Sequence, residues 1–240
     1  MIRTGVLAVT VVALAACKNG RADERARPAA AARTTSPPGQ LMPVALAALC
    51  LTRGARADAG GRLHVTEPTM RAVAPGSHGD AAALRFVFDG DSAERVALAS
   101  GQVRRQLGLK LRAADGCNLI YVMWRLDPTP AIEVSTKINP GDRDHGDCGT
   151  RGYTKVNPVR SEAPPALAPG ATHTLAAEII GDELTARVDD RVVWRGRLDA
   201  AAGALTGPAG MRSDNLGFDV ELLVAAADPA SPRLAIPGCD

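Results

Sequence analysis

Aromatic side chains are scarce in this chain: 3% of 240 residues, made up of 2 Trp, 2 Tyr and 3 Phe. A core must therefore be built from Leu, Val and Ala, which the 46% apolar content can supply. That content excludes a wholly disordered chain, and 24 Gly with 17 Pro stay below a low-complexity composition. Also missing are His-Glu-x-x-His, a phosphate-binding Gly loop, a dinucleotide fingerprint and any Cys-x-x-Cys pair. The sequence calls for no cofactor and no metal site. No apolar run approaches the roughly 20 residues that a membrane-spanning helix needs. The formal charge of +2 is uneven as well. Lys18, Arg21, Arg25, Arg27 and Arg33 outnumber Asp23 and Glu24, while positions 41–240 hold 22 basic and 24 acidic residues. The larger part is not basic, so nucleic acid is not an expected partner.

The first 17 residues carry one cation, Arg3, and a short apolar run from Val6 to Ala16. This is the pattern of a secretory signal. The run ends Leu14-Ala15-Ala16-Cys17, which resembles the bacterial lipobox, in which the cysteine is diacylated and becomes the mature N-terminus. The resemblance implies a membrane anchor through a lipidated Cys17 and an envelope location facing periplasm or cell surface. An ordinary cleaved signal with an incidental Cys17 is the alternative. Residues 18–40, rich in Lys, Arg, Ala and Pro, read as a disordered tether, with a basic arm touching anionic lipid as a compatible reading. Residues 41–240 are then one domain of about 200 residues.

Four cysteines remain: Cys50, Cys117, Cys148 and Cys239. An even number in an exported chain points to disulfides, with three possible connectivities. Cys117–Cys148 and Cys50–Cys239 are favoured, the first tying a strand start to a nearby loop and the second tying the domain's ends. From Val44 to Leu51 a short helix is expected, packing Val44, Leu46, Leu49 and Leu51 on the domain.

Beyond residue 56 the chain reads as strands. Leu109-Lys110-Leu111-Arg112 alternates, Asn118 to Leu126 is apolar on both faces, and Ile132 to Ile138 alternates again, which predicts a three-stranded antiparallel meander. Further strands are expected at Leu63 to Val73, Ala83 to Phe88, His173 to Ile180, Glu183 to Asp189, Val192 to Leu198 and Phe218 to Ala225. Gly181-Asp182 and Asp189-Asp190 sit where tight hairpins would need them. The list predicts an all-β fold, an antiparallel sandwich or jelly roll.

One stretch adds a family likeness. His173-Thr174-Leu175, Gly181-Asp182-Glu183-Leu184, Val188-Asp189, Val193-Trp194-Arg195-Gly196, then Gly207 to Asn215 and Phe218, resembles the C-terminal half of concanavalin A-like lectin/glucanase jelly rolls, laminin-G-like domains included. The resemblance covers about a quarter of the chain and concerns scaffold residues. It implies sugar or protein binding, sometimes with calcium, and glycoside hydrolysis in some branches.

The Glu-x-Asp-x-x-Glu strand of the glucanases, which sets paired carboxylates for retaining hydrolysis, is absent. Gly76-Ser77-His78-Gly79 has Pro75 where a nucleophile elbow needs Gly, and reads as a surface turn. Asp142, Asp144 and Asp147 could offer oxygens to calcium, but Arg143 among them favours a solvated, disulfide-held loop. A binding face follows from strand parity instead. With Leu107, Leu109, Leu111, Ile132 and Val134 inward, Lys110, Arg112, Glu133 and Lys137 turn outward. With Ile120, Val122 and Trp124 also inward, Tyr121 and Arg125 join them; the opposite parity would present Trp124. Lys110, Arg112, Tyr121, Arg125, Glu133 and Lys137 are thus the candidate ligand-binding residues, against the alternative of a solvated face with ion pairs. Tyr153 would rim the face, His173 start a strand and Trp194 pack in the core. The expected function is a lipid-anchored, non-catalytic binding or structural module with glycan or surface polymer as ligand. The alternatives are a divergent glycoside hydrolase or lyase of this fold, or a protein-interaction module.

Overall fold

A computed structural model describes residues 40–54, 56–57 and 60–226. All fall in the second of the chain's two compact units, which runs from Thr35 to Asp240. Among the described residues the order begins with β1 (Met42–Pro43), a 3-10 turn (Leu46–Ala48), β2 (Cys50–Arg53), β3 (Arg56–Ala57), β4 (Leu63–Val65) and β5 (Thr69–Val73). The long β6 (Ser77–Asp91) leads to β7 (Gln106–Leu111), β8 (Leu119–Arg125), β9 (Ala131–Lys137), the single-turn α1 (His145–Cys148) and β10 (Tyr153–Lys155). The remainder is β11 (Pro158–Ser161), β12 (Thr172–Ile180), β13 (Glu183–Val188), β14 (Arg191–Arg197), α2 (Ala200–Ala204), β15 (Gly210–Asp214) and β16 (Leu216–Ala226).

The strands form two antiparallel sheets. One has the order β11-β14-β13-β12-β6-β16-β4-β3, with β1 also on β16; the other runs β10-β9-β8-β7-β15-β5-β2. This is the all-β jelly-roll sandwich that the element list predicts. The meander supplies eight of the buried residues of its main core. Leu107 lies opposite Trp124 and Leu109 opposite Val122, which in turn face Ile132 and Val134 across β9. All six are at most 3% exposed. Each buried aliphatic of this size contributes about 1.5–3 kcal/mol, which fixes β8 with Ile120, Val122 and Trp124 inward. Trp124 meets Phe86 of the other sheet edge-on, with centroids 5.8 Å apart and planes at 81°. Trp194 is buried in the same core.

Turn chemistry holds the nine-stranded sheet in register. Gly181 (φ 64°) turns β12 into β13, and Asp189 and Asp190 (φ 48° and 65°) turn β13 into β14. Two successive positive φ values are what a type I′ hairpin demands. The Asp189 carboxylate also accepts from the Thr174 amide at 2.8 Å and meets His173 Nδ1 at 2.7 Å, anchoring the start of β12.

Three local expectations change. The N-terminal helix is only the 3-10 turn, because residues from Cys50 on pair with β5 and take up strand periodicity. Val44, Leu46 and Leu49 do pack on the core, but Leu51, on the edge strand, is 41% exposed. The single strand expected from Leu63 to Val73 is two strands, one in each sheet, broken where Pro68 has no N–H for a ladder. Ser77 lies in β6 and not in a surface turn: it is buried, donates to the Ala74 carbonyl at 2.7 Å and accepts from the Ala209 amide at 2.9 Å.

Cys117 and Cys148 form the expected disulfide. Cys50 is also disulfide-bonded, and Cys239 and Cys17 lie outside the described residues. No helix among the described residues is long and apolar enough to cross a membrane.

Candidate functional site

The outward face of the β10–β2 sheet can be read off its register. One row runs Lys155, Ser135, Tyr121, Lys110, Gly210, Val73 across β10, β9, β8, β7, β15 and β5. The next runs Glu133, Met123, Gly108, Arg212, Arg71. A third places Arg125 opposite Gln106 and Gln106 opposite Asp214. Leu119 lies opposite Lys137, and Lys137 opposite Tyr153. Five of the six expected residues, Lys110, Tyr121, Arg125, Glu133 and Lys137, therefore share this face.

Arg112 leaves it. Just past β7 its backbone takes φ 46°, and the guanidinium pairs with the Asp80 carboxylate and donates to the Gly203 carbonyl at 2.9 Å. Only 7% exposed, it ties β6 to α2 at the end of the sandwich.

The face is also far less solvated than a ladder of exposed ion pairs. Leu119, Tyr121, Met123, Val73 and Ala113 form a buried apolar cluster of their own. Two arginines and an aspartate not anticipated from the sequence stand beside it. Asp214, fully buried, accepts from Arg71 Nη2 at 2.5 Å, Gln106 Nε2 at 2.7 Å and Arg212 Nε at 2.9 Å. Burial pushes its carboxyl up, but Arg212 and then Arg71 outweigh that and hold it below the usual range. Asp214 is thus an ionised counter-charge and no proton donor.

Arg212 carries the network to the aromatics. Its guanidinium carbon lies 5.1 Å from the Tyr121 ring centroid, and Tyr121 stacks on Tyr153 with centroids 6.0 Å apart and planes at 18°. Beyond them Lys137 Nζ is 5.3 Å from the Tyr153 centroid. Lys137 donates to the Gly116 carbonyl at 3.2 Å and to His145 Nδ1 at 3.0 Å. Burial, then the nearby Arg212, lowers the Lys137 ammonium to about 8, and burial, then Lys137, lowers His145. The imidazole is accordingly a neutral acceptor for this lysine. Burial likewise pushes the Tyr121 phenol up to about 12. Tyr153, on its short edge strand, is 41% exposed and rims the face.

Lys110, directly opposite Tyr121, is the outlier. It is 8% exposed, and its ammonium makes no hydrogen bond or ion pair with any described residue. Burial, reinforced by Arg71 and Arg212, brings its ammonium down to about 7. Glu133, at the other margin, is bound by three cations: Arg125 at 2.8 Å, Lys155 at 3.2 Å and Arg104 at 3.4 Å.

The loop read as a possible calcium ligand set is otherwise employed. Asp144 caps α1 through the Gly146 amide at 2.7 Å, and Asp142 pairs with Arg151 at 3.0 Å. Metal-type donors converge elsewhere among the described residues: His64, Asp89 and Asp219, on the nine-stranded sheet, bring ligand atoms within 4.8 Å of one another. His64 Nδ1 meets Asp219 Oδ1 at 2.6 Å, and burial together with Asp219 raises the Asp89 carboxyl. Their separation along the chain hides this group from motif reading.

No family profile and no curated protein matches the chain. Among solved structures it is similar to the carbohydrate binding module CBM66 from Bacillus subtilis, at 11% identity and a TM-score of 0.49, covering 75% of this chain and 93% of that one. It is also similar to the Emp46p carbohydrate recognition domain, at 14% identity, TM-score 0.46, and 75% and 88% coverage. A third is a tetrameric galectin from the ball sponge Cinachyrella sp., at 15% identity, TM-score 0.41, and 66% and 98% coverage.

Proposed function

We propose that this protein is a glycan-binding β-sandwich held at a bacterial envelope by a lipidated Cys17. The observation that carries the binding reading is the stacked Tyr121–Tyr153 pair, with Tyr153 41% exposed at the edge of a cation-bearing sheet face. An exposed aromatic on a rigid strand offers a sugar ring an apolar platform at low entropic cost, and neighbouring charged side chains supply hydrogen bonds to its hydroxyls. Asp214 stays ionised between two arginines and Glu133 is held by three cations, an arrangement suited to binding and not to proton transfer. The anchor rests on Leu14-Ala15-Ala16-Cys17 and the tether that follows.

Affinity electrophoresis through gels containing neutral and acidic polysaccharides tests the binding half. Wild type should be retarded by at least one of them, and Tyr153→Ala should lose most of that retardation while melting within a few degrees of wild type. A panel that retards neither protein refutes the glycan reading. For the anchor, Cys17→Ser should move the protein from the membrane fraction to the soluble one; persistence in the membrane refutes lipidation.

A further inference from the structure

Where the lysines stand narrows the ligand. The chain contains only four, Lys18, Lys110, Lys137 and Lys155, beside a large majority of arginines. Lys110, Lys137 and Lys155 all stand on the one sheet face, within the register rows that hold Tyr121 and Tyr153. Residues 41–240 are slightly acidic as a whole, so this cluster is no sample of a generally basic surface. Around the two tyrosines stand four cations, Arg71, Lys110, Lys137 and Arg212, against two nearby carboxylates: Asp214, already engaged by both arginines, and Asp115, close to Lys137.

We infer that the ligand of this face is an acidic glycan, one whose sugars carry carboxylate or sulfate groups; the inference rests on the glycan-binding reading and specifies its chemistry. Lys110 is the residue that points to it. A lysine whose side chain is more than nine-tenths buried beside two guanidiniums, with no hydrogen bond or ion pair from its ammonium to any described residue, is costly unless a counter-charge arrives. Its same-face neighbours, Tyr121 on β8 and Gly210 on β15, cannot provide one. An anionic group on a sugar stacked at Tyr153 would supply it, in surroundings where the attraction is stronger than in water. Two fully buried atoms lack partners on the same face. Gln106 Oε1 and Arg125 Nε belong to residues directly opposite each other on β7 and β8. They offer an acceptor and a donor, which is what sugar hydroxyls and acidic groups use.

The test compares polygalacturonate, its fully methyl-esterified form and chondroitin sulfate as retarding polymers for the full chain, with phosphatidylglycerol vesicles as a separate arm. Retardation by polygalacturonate should exceed that by the ester by about tenfold and weaken with added salt. Lys110→Met should abolish that preference while unfolding no earlier than wild type, which shows that the loss is not one of folding. Lys137→Met should weaken it independently. Chondroitin sulfate separates a sulfate-reading site from a carboxylate-reading one, and preference for either over the ester supports the inference. Equal retardation by acid and ester overturns it and leaves the glycan reading standing. So does an unchanged preference in Lys110→Met. Loss of all retardation, neutral polymers included, removes the glycan reading itself. Vesicle binding without any retardation replaces the inference with a membrane-surface role.

Discussion

Replacing Lys110 by Met should stabilise this protein, and by an amount that depends on pH. In the folded state burial beside Arg71 and Arg212 lowers the ammonium to about 7, against an ordinary 10.5. Between those values the unfolded chain binds the extra proton and the folded one does not, so the lysine's penalty shrinks as pH rises from 7 towards 10.5 and is complete below 7. The gap corresponds to about 4–5 kcal/mol at pH 6, and to about 2 kcal/mol at pH 9. Methionine keeps most of the apolar stem and removes the charge. Urea unfolding of wild type and Lys110→Met at both pH values, without ligand, gives the comparison. The variant should be more stable at both, with the advantage falling by about half or more at the higher pH. A destabilised variant at pH 6, or an advantage that does not change with pH, would refute the idea of an uncompensated charge.

Two further substitutions probe how the face is supported. Asn215, fully buried at φ 59°, accepts from the Val96 amide and donates to the Val96 and Arg104 carbonyls. Asn215→Ala should cost about 3 kcal/mol or more, and Asn215→Gly about 1 kcal/mol less, because glycine tolerates the left-handed backbone; equal losses in thermal or urea unfolding would show that the backbone contributes nothing. The Cys117–Cys148 bridge closes a separation of 31 residues, so the Cys117→Ser, Cys148→Ser protein should be about 3–4 kcal/mol less stable and melt about 10 °C lower. An unchanged melting temperature would mean that hydrogen bonds alone hold the α1 loop, and with it His145.

The all-β class and part of one face of the site are legible in local sequence pattern. Alternation is a local property, so Leu107, Leu109, Leu111, Ile132 and Val134 could be assigned to the core without knowing their partners, and Lys110, Glu133 and Lys137 to the opposite face. The hairpins at Gly181 and Asp189-Asp190 were legible for the same reason, since positive φ is demanded at those very residues. Parity of β8 was not legible, because Asn118 to Leu126 is apolar on both faces; it took Phe86, from the other sheet, to show that Trp124 is the buried one.

Which strands are neighbours, and with them the charge balance of the face, is set by long-range packing. Arg71 on β5 and Arg212 and Asp214 on β15 stand more than 140 residues apart in sequence yet share one hydrogen-bonded cluster. Sheet order follows from non-local pairing that no period of two encodes. Burial is decided the same way. Lys110 reads as an exposed lysine in its own strand; with Tyr121 on one side and Gly210 on the other it becomes a buried cation without a counter-charge.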